Sequence, residues 1–186
     1  MRNILFIASL LFFAACDQSR SKHDYEFNSR ENIKDWKTFD QPNYSIQYPI
    51  TWDLDQNGQM QTSFLVAAPL ESKNDKFRKN VSLLIQDLPD DTNLSEFVKM
   101  AEQQIQNCIS SYDLIESKRI IDKRGEYHRI IYSGNHEIFE LKFQQHYWKS
   151  KDEVYILTFT CEEHKFDYFQ ELGEKILSSF VLKNNK

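Results

Sequence analysis

Two stretches of the chain place apolar residues at every third or fourth position, which is the spacing of one buried face of an α-helix. The first runs over Leu94–Ile109, and the second runs from about His164 to Phe180. The repeating positions are Leu94, Phe97, Val98, Ala101, Ile105, Cys108 and Ile109 in the first stretch, and Phe166, Phe169, Leu172, Ile176, Leu177 and Phe180 in the second. We therefore expect two amphipathic helices.

The segments around these helices are shorter, and several alternate apolar with polar residues, which is typical of half-buried strands. The predicted strands are Trp36–Phe39, Tyr44–Tyr48, Met60–Leu70 and Asn80–Leu88 before the first helix, and Leu114–Asp122, Glu126–Tyr132, Glu137–Trp148 and Glu153–Cys161 between the helices. Ser133–His136 is a predicted hairpin turn, because Gly and Asn tolerate positive φ. That turn would place Arg129 opposite Glu140. The order of elements predicts an α+β fold, in which one antiparallel sheet is flanked by two main helices.

The first fifteen residues have the pattern of a secretion signal. Arg2 supplies one positive charge, and an uncharged apolar run follows that is too short to span a bilayer as a helix. Ala14-Ala15-Cys16 then resembles a lipobox, although Phe13 stands where that motif prefers Leu. The resemblance implies that Cys16 is lipidated and becomes the first residue of the mature chain, which anchors the protein to a membrane through acyl chains.

The segment after Cys16 is charged and polar up to Asp35 and contains few aliphatic residues. Such a segment buries too little apolar area to offset its ordering entropy, so we expect residues 16–35 to form a flexible tether. Residues 36–186 would then form the folded domain. Asp17 resembles the inner-membrane retention signal of enteric-type bacteria. The sequence thus indicates a lipid-anchored protein on the periplasmic side of the cell envelope, with the inner membrane favoured.

Charge and glycine content exclude several kinds of partner. The whole chain has 23 basic and 28 acidic residues, and the signal holds one basic residue, so the mature balance is −6 with His neutral. This balance argues against nucleic acid, and against binding to anionic lipid by charge alone. The chain has only four glycines, and no two lie close enough to form a phosphate-binding loop. We therefore expect no nucleotide cofactor.

Three segments resemble the PsbP-like domain family, which includes periplasmic lipoproteins of the DcrB type. Tyr44–Trp52 is similar to the strand-Pro-x-x-Trp opening of these domains, Tyr155–Thr160 resembles their last strand, and Ile176–Phe180 resembles the end of their C-terminal helix. The resemblance covers about residues 36–183 and implies an α/β/α sandwich. Since this family shares a fold and not an activity, the resemblance implies an accessory or partner-binding role by analogy alone.

Cys108 and Cys161 are the two thiols that remain after Cys16. Cys108 lies on the stripe of the first helix, and Cys161 lies on the same strand face as Tyr155, Leu157 and Phe159. If that face meets the helix, the two sulfurs could approach each other, and an oxidising compartment would then favour a disulfide. The alternative is two separate buried thiols, because the sequence does not supply the Cβ geometry.

The other candidate chemistry is sparse, and each candidate has an ordinary structural explanation. Glu162, Glu163 and His164 could hold a metal, but acidic residues at a helix start more often complement the helix dipole. His128, His136 and His146 are expected at surface or edge positions. The pairs Ser110-Ser111 and Ser178-Ser179 lie near helix ends and in no nucleophile motif. Trp36, Trp52 and Trp148 could line a groove, but core packing is the expectation for at least two of them. We therefore predict no catalytic residues, no metal and no enzyme activity.

Two functional hypotheses remain. The first is a non-catalytic envelope protein that binds a protein partner through one face of its sheet or through its loops, for which Glu71–Lys79 is either a contact or a solvated excursion. The second is a lipoprotein that binds a small ligand or a metal in a pocket between helix and sheet. A large apolar pocket would favour the second hypothesis, and a solid core with an exposed apolar patch would favour the first.

Overall fold

The computed structural model describes residues 35–58, 61–88 and 91–183. The predicted signal peptide, Cys16 and nearly all of the predicted tether lie outside these residues, as do the last three residues of the predicted domain.

Ten strands and two helices follow one another in the described residues. The strands are β1 (Trp36–Asp40), β2 (Tyr44–Pro49), β3 (Asp53–Asp55), β4 (Thr62–Ala67), β5 (Asn80–Asp87), β6 (Ser110–Asp122), β7 (Gly125–His136), β8 (Phe139–Ser150), β9 (Glu153–Glu162) and β10 (Val181–Leu182). The helices are α1 (Leu94–Cys108) between β5 and β6, and α2 (Glu163–Ser178) between β9 and β10.

Seven strands form one large antiparallel sheet in the order β3-β4-β5-β9-β8-β7-β6. The remaining strands form a small antiparallel sheet in the order β1-β2-β10. The predicted α+β architecture is confirmed. Its second sheet was not predicted, because the two residues of β10 are too few to show an alternating pattern.

Helix α1 begins with a capping box. The N–H of Glu96 donates to Oδ1 of Asn93 at 3.0 Å, and the N–H of Asn93 donates to Oε2 of Glu96 at 3.1 Å. These two bonds satisfy donors that the first turn of a helix otherwise leaves open. The buried stripe of α1, which includes Phe97 and Ile105, packs over β8, β7 and β6.

Helix α2 packs on the opposite face of the large sheet, over β9, β8 and β5. Alternation along β9 shows the two faces: Tyr155, Leu157 and Phe159 join the core beneath α2, whereas Val154 and Ile156 join the core beneath α1. The small sheet adds Tyr44, Ile46 and Tyr48 to the core beneath α2. Trp52 and Trp148 are buried in that core and Trp36 packs against it, which confirms the core-packing expectation.

The prediction of a turn at Ser133–His136 is wrong. Strand β7 continues to His136, and the turn is Glu137–Ile138, where Glu137 has a φ of 51° although it is not glycine. Gly134 instead allows β7 to lie close to Ile109 and Ser110. A Cβ at this position would lie 2.3 Å from Cγ2 of Ile109 and 3.0 Å from the carbonyl oxygen of Ser110.

The changed register also overturns the predicted pair of Arg129 and Glu140. Arg129 lies opposite His146, and Glu140 lies opposite Asn135. Arg129 bonds instead to Glu116 on β6.

Candidate functional site

Strand β6 is the last strand of the large sheet and pairs only with β7 among the described strands. It is 13 residues long, and most of its side chains are exposed. A strand in this position presents a row of backbone N–H and C=O groups that no neighbour uses. Such an edge can accept a further strand from a binding partner, with main-chain hydrogen bonds providing affinity.

Exposed aliphatic side chains lie on the same strand. Leu114 is 44% exposed and Ile115 is 48% exposed. Leu114 lies opposite Tyr132 and Glu116 lies opposite Ile131, so Ile115 is the extra residue of a β-bulge. A bulge redirects the side chain that it contains, and here an apolar side chain faces solvent beside the open edge.

Ion pairs on β6 and between β6 and β7 border these aliphatic residues. We call them the charged ladder; they join Glu116 to Arg129 and Lys118, and Arg119 to Glu126. Nε and Nη2 of Arg129 lie 2.5 and 3.1 Å from the two carboxylate oxygens of Glu116, and Nζ of Lys118 lies 2.7 Å from the same carboxylate. The hydrogen bond from Arg129 is the largest cause that lowers the pKa of Glu116. Arg119 forms a bidentate pair with Glu126, with both bonds at 2.6 Å. We call Leu114, Ile115, Glu116, Lys118 and Arg119 the β6 surface.

The face of β6 that carries Glu116 and Lys118 is open because of the position of α2. That helix lies over β5, β9 and β8, so β6 is two strands beyond the last strand that it covers. Lys118 is accordingly exposed. The β6 surface therefore combines a free backbone edge, aliphatic side chains and charges of both signs.

A polar cluster lies under α2 on β8. The side-chain amide Nε2 of Gln144 donates to Oε2 of Glu174 at 2.5 Å and lies 3.1 Å from Nε2 of His146. The hydroxyl of Ser178 donates to the other carboxylate oxygen of Glu174 at 2.7 Å. The expectation that His146 lies at the surface is wrong, because its side chain is fully buried against the ring of Tyr127. This burial lowers the pKa of His146 to about 4.

Ser117 and His128 resemble a catalytic nucleophile and its base, because Oγ of Ser117 lies 2.9 Å from Nε2 of His128. A catalytic pair of this kind also needs a group that orients the base. Within residues 35–58, 61–88 and 91–183, no acidic side chain hydrogen-bonds to His128. The pair is therefore an ordinary contact between neighbouring strands.

One cavity of about 460 Å³ lies at the β3–β4 edge of the large sheet. It is lined by Asp53, Leu54, Asp55, Gln56, Asn57, Leu65, Ala67 and Arg78. Nη2 of Arg78 lies 2.5 Å from Oδ2 of Asp53 and 3.1 Å from the carbonyl oxygen of Ala67. The walls of the cavity are polar and apolar in similar measure, and it lies at a sheet edge, whereas the ligand hypothesis needs an apolar pocket between helix and sheet.

The three residues that were considered as metal ligands, Glu162, Glu163 and His164, do not form a cluster of ligand atoms. Glu163 and His164 are exposed, and Glu162 bonds to Lys165 at 2.5 Å. In the part of the chain that the structure describes, no group of three His, Cys, Asp or Glu side chains is positioned to hold a metal ion.

Both described cysteines are free thiols. Cys108 is exposed at the end of α1, although its spacing placed it on the buried stripe. Cys161 is buried in the core beneath α2, and this burial raises the pKa of its thiol to about 12. The structure thus has two separate thiols on opposite faces of the sheet, and not a disulfide between them.

The Glu71–Lys79 loop is held against α2 by charged contacts. Lys79 is buried, with Nζ 3.2 Å from Glu71 and 4.1 Å from the centre of the Phe169 ring. Lys165 of α2 lies 3.0 Å from Glu71 and 3.6 Å from Asp75. Burial alone would raise the pKa of Glu71. The two lysines have a larger opposite effect, so the pKa of Glu71 is lowered overall. The loop is therefore part of the packed structure and not a wholly solvated excursion.

No helix among the described residues is long and apolar enough to cross a membrane.

Comparison with known proteins identifies the fold through structure alone. No protein-family model matches the chain, and the curated proteins contain no sequence match. Cyanobacterial PsbP from Synechocystis sp. PCC 6803 matches with a TM-score of 0.57 at 15% identity, covering 80% of this chain and 92% of that one. LpqN of Mycobacterium tuberculosis, involved in cell envelope biogenesis, matches with a TM-score of 0.58 at 9% identity, covering 80% and 91%. The Ran-binding protein Mog1p of Saccharomyces cerevisiae matches with a TM-score of 0.50 at 6% identity, covering 80% and 95%.

These matches show that the chain has the PsbP-like fold, as its sequence resemblance implied. At such low identity they show the fold and not the activity.

Proposed function

We propose that this chain is a lipid-anchored lipoprotein of the bacterial cell envelope, on its periplasmic side, which acts without catalysis by binding a protein partner along the β6 surface. The main support for this proposal is the open 13-residue edge of β6, beside which Leu114 and Ile115 are exposed. Exposed apolar residues beside an unpaired strand edge are typical of protein-interaction sites.

Two of the structural matches agree with such a role. LpqN is described as involved in cell envelope biogenesis, and Mog1p is described as Ran-binding. Of the two, Mog1p is the one whose description names a bound protein. For this chain such a role is an analogy, and Leu114, Ile115 and the charged ladder are the features that support a partner on the β6 surface.

The ligand hypothesis has less support. The cavity between Asp53, Asp55 and Arg78 has mixed polar and apolar walls and is open at the sheet edge, whereas sites for small organic ligands are mostly apolar and enclose most of the ligand. Partner binding along β6 is therefore the better-supported function.

Site-specific photocrosslinking in intact cells tests the partner. A photoreactive amino acid at position 115 should give a discrete protein adduct, because the Ile115 side chain faces solvent at the open edge. The same amino acid at position 170, which is exposed on α2, is the matched control and should give no such adduct. Identical adducts from both positions, or none from position 115, would contradict the proposal.

The proposed anchor has a separate test. The change Cys16→Ser removes the thiol that would carry the lipid, so the protein should move from the membrane pellet to the soluble fraction. Washing the membranes with high salt distinguishes a lipid anchor from charge-mediated binding, because salt screens the latter. A Cys16→Ser protein that stays in the salt-washed pellet would rule out the anchor.

A further inference from the structure

Asp35, the first described residue, lies at one end of the large sheet. Its carbonyl oxygen accepts a hydrogen bond from the N–H of Ile50 at 3.0 Å. The chain then turns tightly, with the N–H of Trp52 donating to the carbonyl oxygen of Pro49, and enters β3 at Asp53. Asp53 pairs with Ala67, the last residue of β4. Residues 1–34 therefore join the domain where β3 begins and β4 ends, which we call the Asp35 end.

Exposed aliphatic residues gather at this end. Ile50 is 48% exposed, and Leu70, three residues beyond β4, is 39% exposed. Ile138 in the β7–β8 turn is 78% exposed. That turn belongs to the same end, because the ring of Phe139 lies 5.3 Å from the ring of Phe77 in the loop that follows Leu70.

Basic side chains accompany these aliphatic residues. The Glu71–Lys79 segment holds four basic and two acidic residues. Lys73 and Lys76 are exposed there, and neither contacts a carboxylate within the residues that the structure describes. Unpaired lysines beside an exposed aliphatic side chain match the chemistry of an anionic membrane surface, which attracts basic side chains close to it.

The opposite end of the sheet offers a comparison. Ile121 is 69% exposed near the β6–β7 turn. The 12 residues of β7 separate that turn from the β7–β8 turn, a distance of about 40 Å. Ile121 is thus as exposed as the aliphatic residues of the Asp35 end but far from them.

We infer that Ile50, Leu70 and Ile138, together with Lys73 and Lys76 in the loop that follows Leu70, contact the lipid bilayer. This inference rests on the proposed lipid anchor at Cys16. The stretch from Cys16 to Asp35 can span at most about 65 Å when fully extended, and it joins the domain at the end that carries these residues. Shallow apolar contact and attraction to anionic lipid would add to the hold of the acyl chains.

Depth-dependent fluorescence quenching tests the inference on the full mature lipoprotein in vesicles that contain phosphatidylglycerol. A fluorophore is attached through Ile50→Cys, Leu70→Cys or Ile138→Cys in turn, with Ile121→Cys as the matched control. Each variant also carries Cys108→Ser, because Cys108 is the exposed native thiol. Thermal unfolding of each labelled variant confirms that it is folded.

Nitroxide-labelled lipid should quench the probes at positions 50, 70 and 138 severalfold more than the probe at position 121. The double change Lys73→Glu, Lys76→Glu should reduce quenching at position 70. A protein that sediments with vesicles but shows equal quenching at all four positions would overturn the inference and leave the anchor standing. A protein that does not sediment with vesicles would overturn the anchor, and the inference with it.

Discussion

Strands β9 and β6 belong to the same sheet but differ in position and burial. Strand β9 lies between β5 and β8, and both of its faces are covered, so residues such as Leu157 and Phe159 are fully buried. Strand β6 is longer but pairs with one neighbour among the described strands, and its side chains are mostly exposed. The buried residues of β9 therefore stabilise the fold, whereas most side chains of β6 lie outside the core and are accessible from solvent.

This difference is one of position in the sheet. Both strands contain aliphatic residues, but β9 gains two neighbours and two covering layers, whereas β6 has a free edge and one uncovered face. The two strands should accordingly respond in opposite ways to substitution. Changes in β9 should alter stability, and changes in β6 should alter binding.

The largest expected effect is at the centre of β9. Phe159→Ala removes a fully buried ring that packs against Phe166 at 5.5 Å, and it should lower the free energy of unfolding by about 3–5 kcal/mol. Ile115→Ala on β6 is the matched change and should cost under about 0.5 kcal/mol. Denaturant unfolding followed by tryptophan fluorescence measures both. Equal losses would mean that β6 is as structurally important as β9.

The buried histidine next to β9 should make stability depend on pH. The unfolded chain takes up a proton at His146 near pH 6.5, whereas in the folded protein the lowered pKa delays this to about pH 4. Stability should therefore be unaffected by His146 above about pH 6.5 and should fall by about 3 kcal/mol between pH 6.5 and 4.

His146→Gln removes this titration while His128 and His136 remain. Unfolding measured across pH 4–7 should show a smaller loss of stability in the variant than in the parent protein. Parallel curves for the two proteins would mean that His146 is protonated as easily in the folded state as in the unfolded one.

Because α2 packs closely on β9, replacing its glycine by alanine should destabilise the protein, although such a change usually stabilises a helix. Replacing a helical glycine by alanine normally stabilises a helix by about 1 kcal/mol. At Gly173 the new Cβ would lie 2.5 Å from Cδ1 of Phe159, so Gly173→Ala should destabilise the protein by about 1–3 kcal/mol through overpacking. A raised melting temperature would show that α2 is not packed tightly on β9.

The smallest effect is expected in the charged ladder of β6. Glu116→Gln weakens its pairs with Arg129 and Lys118 and should cost under about 1 kcal/mol at neutral pH, because such partly exposed pairs contribute little. Since the pKa of Glu116 is lowered in the folded state, its contribution should be present above about pH 4.5 and disappear as the pH falls below that value. High salt should reduce the difference. A loss of several kcal/mol would make the ladder a structural element.

The sequence predicts both helices well, because their apolar stripes are long and regular. Phe97, Ile105, Phe169 and Ile176 are all buried as expected. Most strands of the large sheet are predicted as well, although β6 begins at Ser110, four residues before its predicted start, and the short strand β3 was missed. Local alternation predicts strands, but strand limits depend on which neighbours they pair with.

The missed features depend on contacts between distant residues. Gly134 is typical of a turn by its local sequence, but it lies within β7, where the side chain of Ile109 and the carbonyl oxygen of Ser110 approach it closely. His146 is polar by type and buried because α2 supplies Glu174 on the other side of Gln144. The edge position of β6, on which the proposed function depends, follows from the order of strands in the sheet, which alternation along one strand does not show.

Hydrogen exchange along β6 shows whether a binding partner covers the edge of this strand. In the purified lipoprotein in vesicles, the outward amides of β6 should exchange fast, whereas those of β9 should be protected by β5 and β8. In membranes from the native cells, a partner along the edge should slow exchange in the peptide that covers Leu114–Asp122 and leave β9 unchanged. Exchange in β6 that stays as fast in native membranes as in vesicles would contradict the claim that β6 binds a partner.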